Sequence, residues 1–175
     1  MNTKTSLIVV LVASLLLSAC ATVPSVTVSV AEPDRIRFQG KGAGAGMMLM
    51  SSMGAMGIAI GVAIDEGIGK DIDAAARTEG FNIQAIIEAA AKTHLFTSDI
   101  TVERYGFVTR PGDNDPVAVQ LHLNIVSKDG QQQAVKYPED FEKARVSTFP
   151  LDDIKLDGKL TITAFEKAIA SIFAD

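Results

Sequence analysis

Residues 39–70 read QGKGAGAGMMLMSSMGAMGIAIGVAIDEGIGK, and the fold turns on what this stretch becomes. It holds nine of the 14 glycines and five of the six methionines of the chain, and no charged residue falls between Gly42 and Ile64. Three readings compete: a phosphate-binding loop, a membrane span, or a helical surface built for close packing. Gly40-x-Gly42-x-x-Ala45, with Asp65 downstream, has the outline of a dinucleotide fingerprint. A segment so rich in glycine and alanine produces that outline by chance, and no βαβ pattern follows it. The Gly-Lys pairs at 40–41, 69–70 and 158–159 lack the earlier glycine of a P-loop. As a single helix, 23 residues would reach about 34 Å, enough for a bilayer core of about 30 Å. Six of those 23 are glycine and two are serine, which makes insertion of a lone helix marginal, because each glycine weakens a helix by up to about 1 kcal/mol.

Packing remains. Gly57-x-x-x-Gly61 places two glycines on one helical face, with Gly54 close by, and such a strip lets another backbone approach. Gly40/Gly44 and Gly42/Gly46 repeat the spacing, and Ser51-Ser52 could break the stretch into a helical hairpin. The glycines then serve either an internal helix covering a sheet or an interface with other molecules. Met47, Met50, Met53 and Met56 favour the second, since flexible thioethers suit surfaces that accommodate varied partners. The expected interaction residues are these four methionines with Gly54, Gly57 and Gly61. The segment weakly resembles the glycine-zipper regions of some outer-membrane lipoproteins.

The N-terminus, MNTKTSLIVVLVASLLLSAC, has a positive Lys4, an apolar run from Ser6 to Leu17, and then Leu17-Ser18-Ala19-Cys20. The run is too short for a span and has the length of a signal peptide. These residues resemble the lipobox of bacterial lipoproteins. The resemblance implies cleavage before Cys20, a diacylglyceryl group on its sulfur and a further acyl chain, such as palmitate, on the new amino terminus. Ala21 in place of aspartate implies the outer membrane. Cys20 is the sole cysteine, so no intramolecular disulfide can form, and lipidation accounts for a lone thiol in an exported chain. Several acyl chains anchor durably where one does not.

The chain is acidic, with 21 Asp and Glu against 16 Lys and Arg. This argues against a nucleic-acid partner or a polybasic membrane contact. Two histidines cannot gather a metal site alone. His94 falls at a helix end and His122 on the wet face of a strand. Asp113-Asn114-Asp115 lacks the glycine and distal glutamate of a calcium loop, and Asp65-Glu66 reads as an acid-rich helix start. No cofactor, metal or enzymatic activity is expected.

The remainder reads as an α+β domain. Val26, Val28 and Val30 alternate as a short strand, and Arg35 to Phe38 make another. A helix covers Asp65 to Glu79, ended by Gly80. Asn82 caps the next, whose apolar stripe is Ile83, Ile86, Ile87 and Ala90. Ile100 to Arg110 is a strand whose alternation slips between Val102 and Tyr105, so a bulge is expected near Gly106. Val117 to Val126 alternates cleanly, and Asp129-Gly130 turns the chain back along Gln133 to Tyr137. Ala144 to Phe149 can add a strand, and Thr163-Ala164-Phe165-Glu166 has capping-box spacing for a last helix. The expectation is an antiparallel sheet of three or four strands with helices on one face, preceded by the Gly/Met-rich helical segment. The organisation is a signal peptide over 1–19, a lipidated tether over 20–39, the apolar segment over 40–70 and a periplasmic domain over 71–175. Function is expected to be structural: a lipid-anchored outer-membrane lipoprotein facing the periplasm, held to the membrane through Cys20. It would form a homo-oligomer or an envelope complex. The alternative is a periplasmic carrier or chaperone for lipid or other apolar cargo.

Overall fold

The computed structural model describes residues 26–94, 96–109, 115–141 and 146–174. Their order is β1 (Val28–Val30), β2 (Arg37–Gln39), α1 (Lys41–Met53), α2 (Ala55–Thr78), α3 (Ile83–Thr93), β3 (Asp99–Thr109), β4 (Pro116–Val126), β5 (Gln132–Tyr137), β6 (Thr148–Pro150), α4 (Leu151–Leu156) and α5 (Gly158–Ala174). The class is α+β, with a mixed sheet of six strands. Two long strands, β3 and β4, pair antiparallel at its centre. Each carries two short strands end to end on its outer side: β1 and β2 run parallel along β3, while β5 and β6 run antiparallel along β4. The expected all-antiparallel sheet is thus corrected by β1 and β2, which are too short to reveal their partner in sequence.

The alternation in β4 sets the core. Val117, Val119, Leu121, Leu123 and Ile125 are buried, whereas Gln120, His122 and Asn124 are only partly covered. Against the buried face pack Ile83 and Ile87 of α3, Ile72 and Ala76 of α2, and Phe165 and Ile169 of α5. Phe165 is fully buried and meets Phe81, Phe107 and Tyr105 with ring centroids 5.0, 5.3 and 5.9 Å away, a spacing at which aromatic pairs attract beyond simple burial. The bulge in β3 lies between Val102 and Arg104, slightly before the expected place, and it keeps Val102 and Tyr105 both inside.

Between Val30 and Arg37 the chain takes seven steps where β3 takes four, from Val102 to Gly106. The surplus is thrown out as a loop carrying Asp34. The Tyr105 hydroxyl donates to Asp34 Oδ1 at 2.5 Å, and Arg77 Nη2 donates to the Asp34 carbonyl at 2.7 Å. Burial first, and then the Asp34 bond, push the Tyr105 hydroxyl far above its ordinary pKa, so it remains a donor.

Helix α2 lies along the free edge of β2, and the two periods match. Four helical residues rise about 6 Å and two strand residues about 6.6 Å. Asp65, Gly69, Asp73 and Arg77 therefore meet Gly40, Phe38, Ile36 and Asp34 in turn. Asp65 accepts from the Gly40 N–H at 3.0 Å and Asp73 from the Ile36 N–H at 2.9 Å. Gly69 lies so near that a Cβ there would sit 3.1 Å from the Phe38 nitrogen. An edge strand with unpaired amides invites another strand; here a helix covers those amides.

The Gly/Met segment is a helical hairpin. It turns at Gly54 (φ 59°) rather than at Ser51-Ser52, and α2 begins at Ala55 and runs unbroken through residue 70 to Thr78. The helix expected from Asp65 is therefore the second half of a longer one. Asp65 does not start that helix; it borrows the role of cap for α1, accepting the Gly42 N–H at 2.6 Å where α1 has no side-chain cap of its own. Gly42 and Gly46 of α1 face Gly61 and Gly57 of α2, and added Cβ atoms at Gly42 and Gly61 would fall inside the opposing backbone. The Thr163 capping box does not operate. α5 starts five residues earlier, with Asp157 Oδ1 accepting from the Lys159 and Leu160 N–H groups at 2.9 and 3.1 Å, and Thr163 donates to the Lys159 carbonyl in mid-helix. The Asn82 cap is present, accepting the Ala85 N–H at 3.0 Å.

Two glycine substitutions should move stability in opposite directions. Gly61→Leu must part the hairpin and should cost about 1–3 kcal/mol as an overpacked contact. Gly67→Ala meets nothing within 4 Å and should stabilise α2 by up to about 1 kcal/mol. Urea unfolding of both variants checks the pair.

Candidate functional site

The expected interaction residues fall into two groups. Gly57 and Gly61 are buried between α1 and α2 of the same chain, and Gly54 forms the turn. This corrects the expectation of a glycine strip open to a second molecule: the close approach is made within the hairpin. The methionines are where an exposed surface remains. Met48 is 82% exposed, Met47 71% and Met56 62%, with Met50, Met53, Ile58 and Val62 also exposed. The hydroxyls of Ser51 and Ser52 donate to the Met48 and Leu49 carbonyls, so even the polar side chains of the hairpin are satisfied internally. Among soluble monomers, a contiguous apolar surface of this kind marks a binding site. No helix among the described residues is long and apolar enough to cross a membrane.

On one side the hairpin overhangs β2 and encloses a groove of about 660 Å³. Met47, Met50, Ile58 and Val62 form its apolar wall, Gly42, Gly46 and Gly61 line the seam, and Arg35, Arg37, Lys70 and Arg104 bring positive charge. The carboxylates there are already engaged. Glu66 pairs with Arg35 at 3.1 Å and Lys70 at 3.4 Å, which hold its pKa below the ordinary value. Asp65 and Asp73 accept from the Gly40 and Ile36 N–H groups on either side of β2, and Asp73 also takes Arg77 at 3.0 Å. Arg37 and Arg104 have no carboxylate partner among the described residues. Arg104 donates to Gln39 Oε1 at 2.9 Å, but its buried Nε has no partner. Burial, and then the neighbouring Arg37, lower its pKa from the ordinary value.

The two arginines come together because of register. Arg37 lies between the inward Ile36 and Phe38 and pairs with Gly106, two residues beyond Arg104 on β3. Arg104 is opposite His122, and His122 is opposite Lys136, so a row of basic side chains crosses the sheet on the face opposite the core. The sequence offered a signal for Arg37, namely a charged residue alternating with buried ones. Arg104 was hidden by the bulge, which shifts its side.

Of the other candidates, His94 ends α3 and stacks near Phe173 at 6.2 Å, and Asp115 pairs with Lys41 at 3.6 Å. Asp113, Asn114 and Cys20 lie outside the described residues. Among the described residues no group of three His, Cys, Asp or Glu side chains could hold a metal ion.

His122 should contribute to acid sensitivity. Burial first, then Arg104 and Lys136, disfavour its imidazolium against the weaker pull of Glu103, and its pKa is lowered. The unfolded chain then binds a proton that the folded chain resists, so this part of the stability is intact above about pH 6.5 and is lost as pH falls below it. His122→Gln should flatten the pH dependence of the urea midpoint in that range relative to the wild type.

Comparison of the chain with models of protein families, with curated proteins and with solved structures gives no match.

Proposed function

We propose that this chain is a non-enzymatic lipoprotein of the outer membrane, anchored by acyl chains on Cys20, whose hairpin packs against copies of itself in the envelope. The observation that supports the reading is the exposed apolar surface of residues 42–64, a stretch without charge, on a body whose own core is closed. Met48, Met53 and Met56 lie outside the groove and at the end of the hairpin, where a second copy can cover them. An apolar surface on a tethered protein is also concentrated in two dimensions, so a modest contact is enough to assemble it.

The anchor and the contact are tested separately. Wild type should stay with membranes through a high-salt wash, and Cys20→Ser exported behind an ordinary cleaved secretory signal in place of residues 1–19 should be released. The purified chain without residues 1–19 and carrying Cys20→Ser should run as discrete oligomers, and Met48→Gln/Met56→Gln in that background should shift them to monomers with unchanged circular dichroism. A wild type that washes off membranes with its thiol free would refute the anchor. Oligomers indifferent to the methionine pair would refute the contact.

A further inference from the structure

The groove has two chemically distinct ends. At one, Met47, Met50, Ile58 and Val62 present an apolar wall. At the other, Arg37 and Arg104 line the same groove with no carboxylate paired to either among the described residues, in a chain that is acidic overall. A guanidinium offers five N–H donors in a planar fork suited to an oxyanion. For Arg104 only the Gln39 contact is met, and the buried Nε is not. Burial, and then the charge of Arg37, disfavour the charged Arg104, a cost that a bound anion relieves.

We infer that this groove binds a single-chain anionic amphiphile, a long-chain fatty acid, with its carboxylate at Arg37 and Arg104 and its hydrocarbon chain along the methionine wall. Three observations select this occupant. The wall is helical, with its backbone bonded internally, so it offers nothing to the amides of a peptide. The free edge of β2 is covered by Asp65, Gly69 and Asp73, which closes the route of strand addition. A purely apolar ligand would leave the arginine pair unneutralised, whereas a carboxylate supplies the missing acceptor in bidentate geometry. The methionines adapt to a flexible chain. The inference is independent of anchoring and of self-association, because the surface assigned to assembly lies outside the groove.

Binding is read with cis-parinaric acid, a fluorescent fatty acid with a free carboxylate, and with its methyl ester, on the purified chain without residues 1–19 and carrying Cys20→Ser. The acid should bind saturably at one per chain and at least about tenfold tighter than the ester, the equivalent of one charge-assisted contact. Arg37→Gln/Arg104→Gln should bind acid and ester alike, and Val62→Gln should weaken both. Equal affinity of the wild type for acid and ester, no saturable binding, or a retained preference for the acid in the arginine pair would each overturn the inference. The acid–ester comparison needs no variant, so it decides even where a substitution impairs folding. Oligomer mass measured in the same samples keeps this outcome distinct from that of the assembly contact.

Discussion

A helix that repeats every four residues along a strand that repeats every two is the constraint from which the rest of this structure follows. Asp65, Gly69, Asp73 and Arg77 recur at one helical spacing, and Gly40, Phe38, Ile36 and Asp34 recur at one strand spacing. The near coincidence of the two rises lets one helix cover the strand edge, accepting from the Ile36 and Gly40 amides and lying close over Phe38. That arrangement fixes the direction of α2, and the direction of α2 fixes where the hairpin goes. β2 ends at Gln39, α1 starts at Lys41, and Asp65 secures both at once.

The same helix has two characters along its length. From Ile68 onward it presents Ile72 and Ala76 to the core and carries polar residues outside. Before Asp65 it carries no charge and packs against α1 through glycine. Dispersion at the glycine seam holds the two helices of the hairpin together, while their outer surfaces remain apolar and exposed. Close packing within the hairpin and exposure outside it are therefore two results of one composition. Small residues are consumed on the inner face, and the large flexible ones are left on the outer.

Much of the body was legible. The alternation of β4, the Asn82 cap and the Asp129-Gly130 turn are local signals whose causes lie within a few residues, and the structure contains each of them. What was not legible depends on partners distant in sequence. Three-residue strands such as β1 and β2 carry no sign of whether their neighbour is parallel. Gly158 looks like a helix breaker, yet α5 starts there because Asp157 caps it. Gly57 and Gly61 announced close packing, but their spacing could not say that the opposing helix belonged to the same chain. The glycines at 42 and 46 held that information, as a second strip of the same pitch. The arginine pair was the hardest to foresee. It needs the parallel register of β2 and the bulge in β3 together.

The placement of β1 and of the hairpin along β3 has a mechanical consequence. β1 aligns with Ile100 near the start of that strand and β2 ends opposite Val108, a separation of about 26 Å at the usual strand rise. Beyond Gly40 the hairpin continues about 15 Å further, the length of α2 from Ala55 to Asp65. The start of β1 and the methionine-rich tip thus lie toward opposite ends of β3. A pull between them runs along β1, the Asp34 loop and β2, so it falls in shear on the two three-residue ladders that hold β1 and β2 to β3.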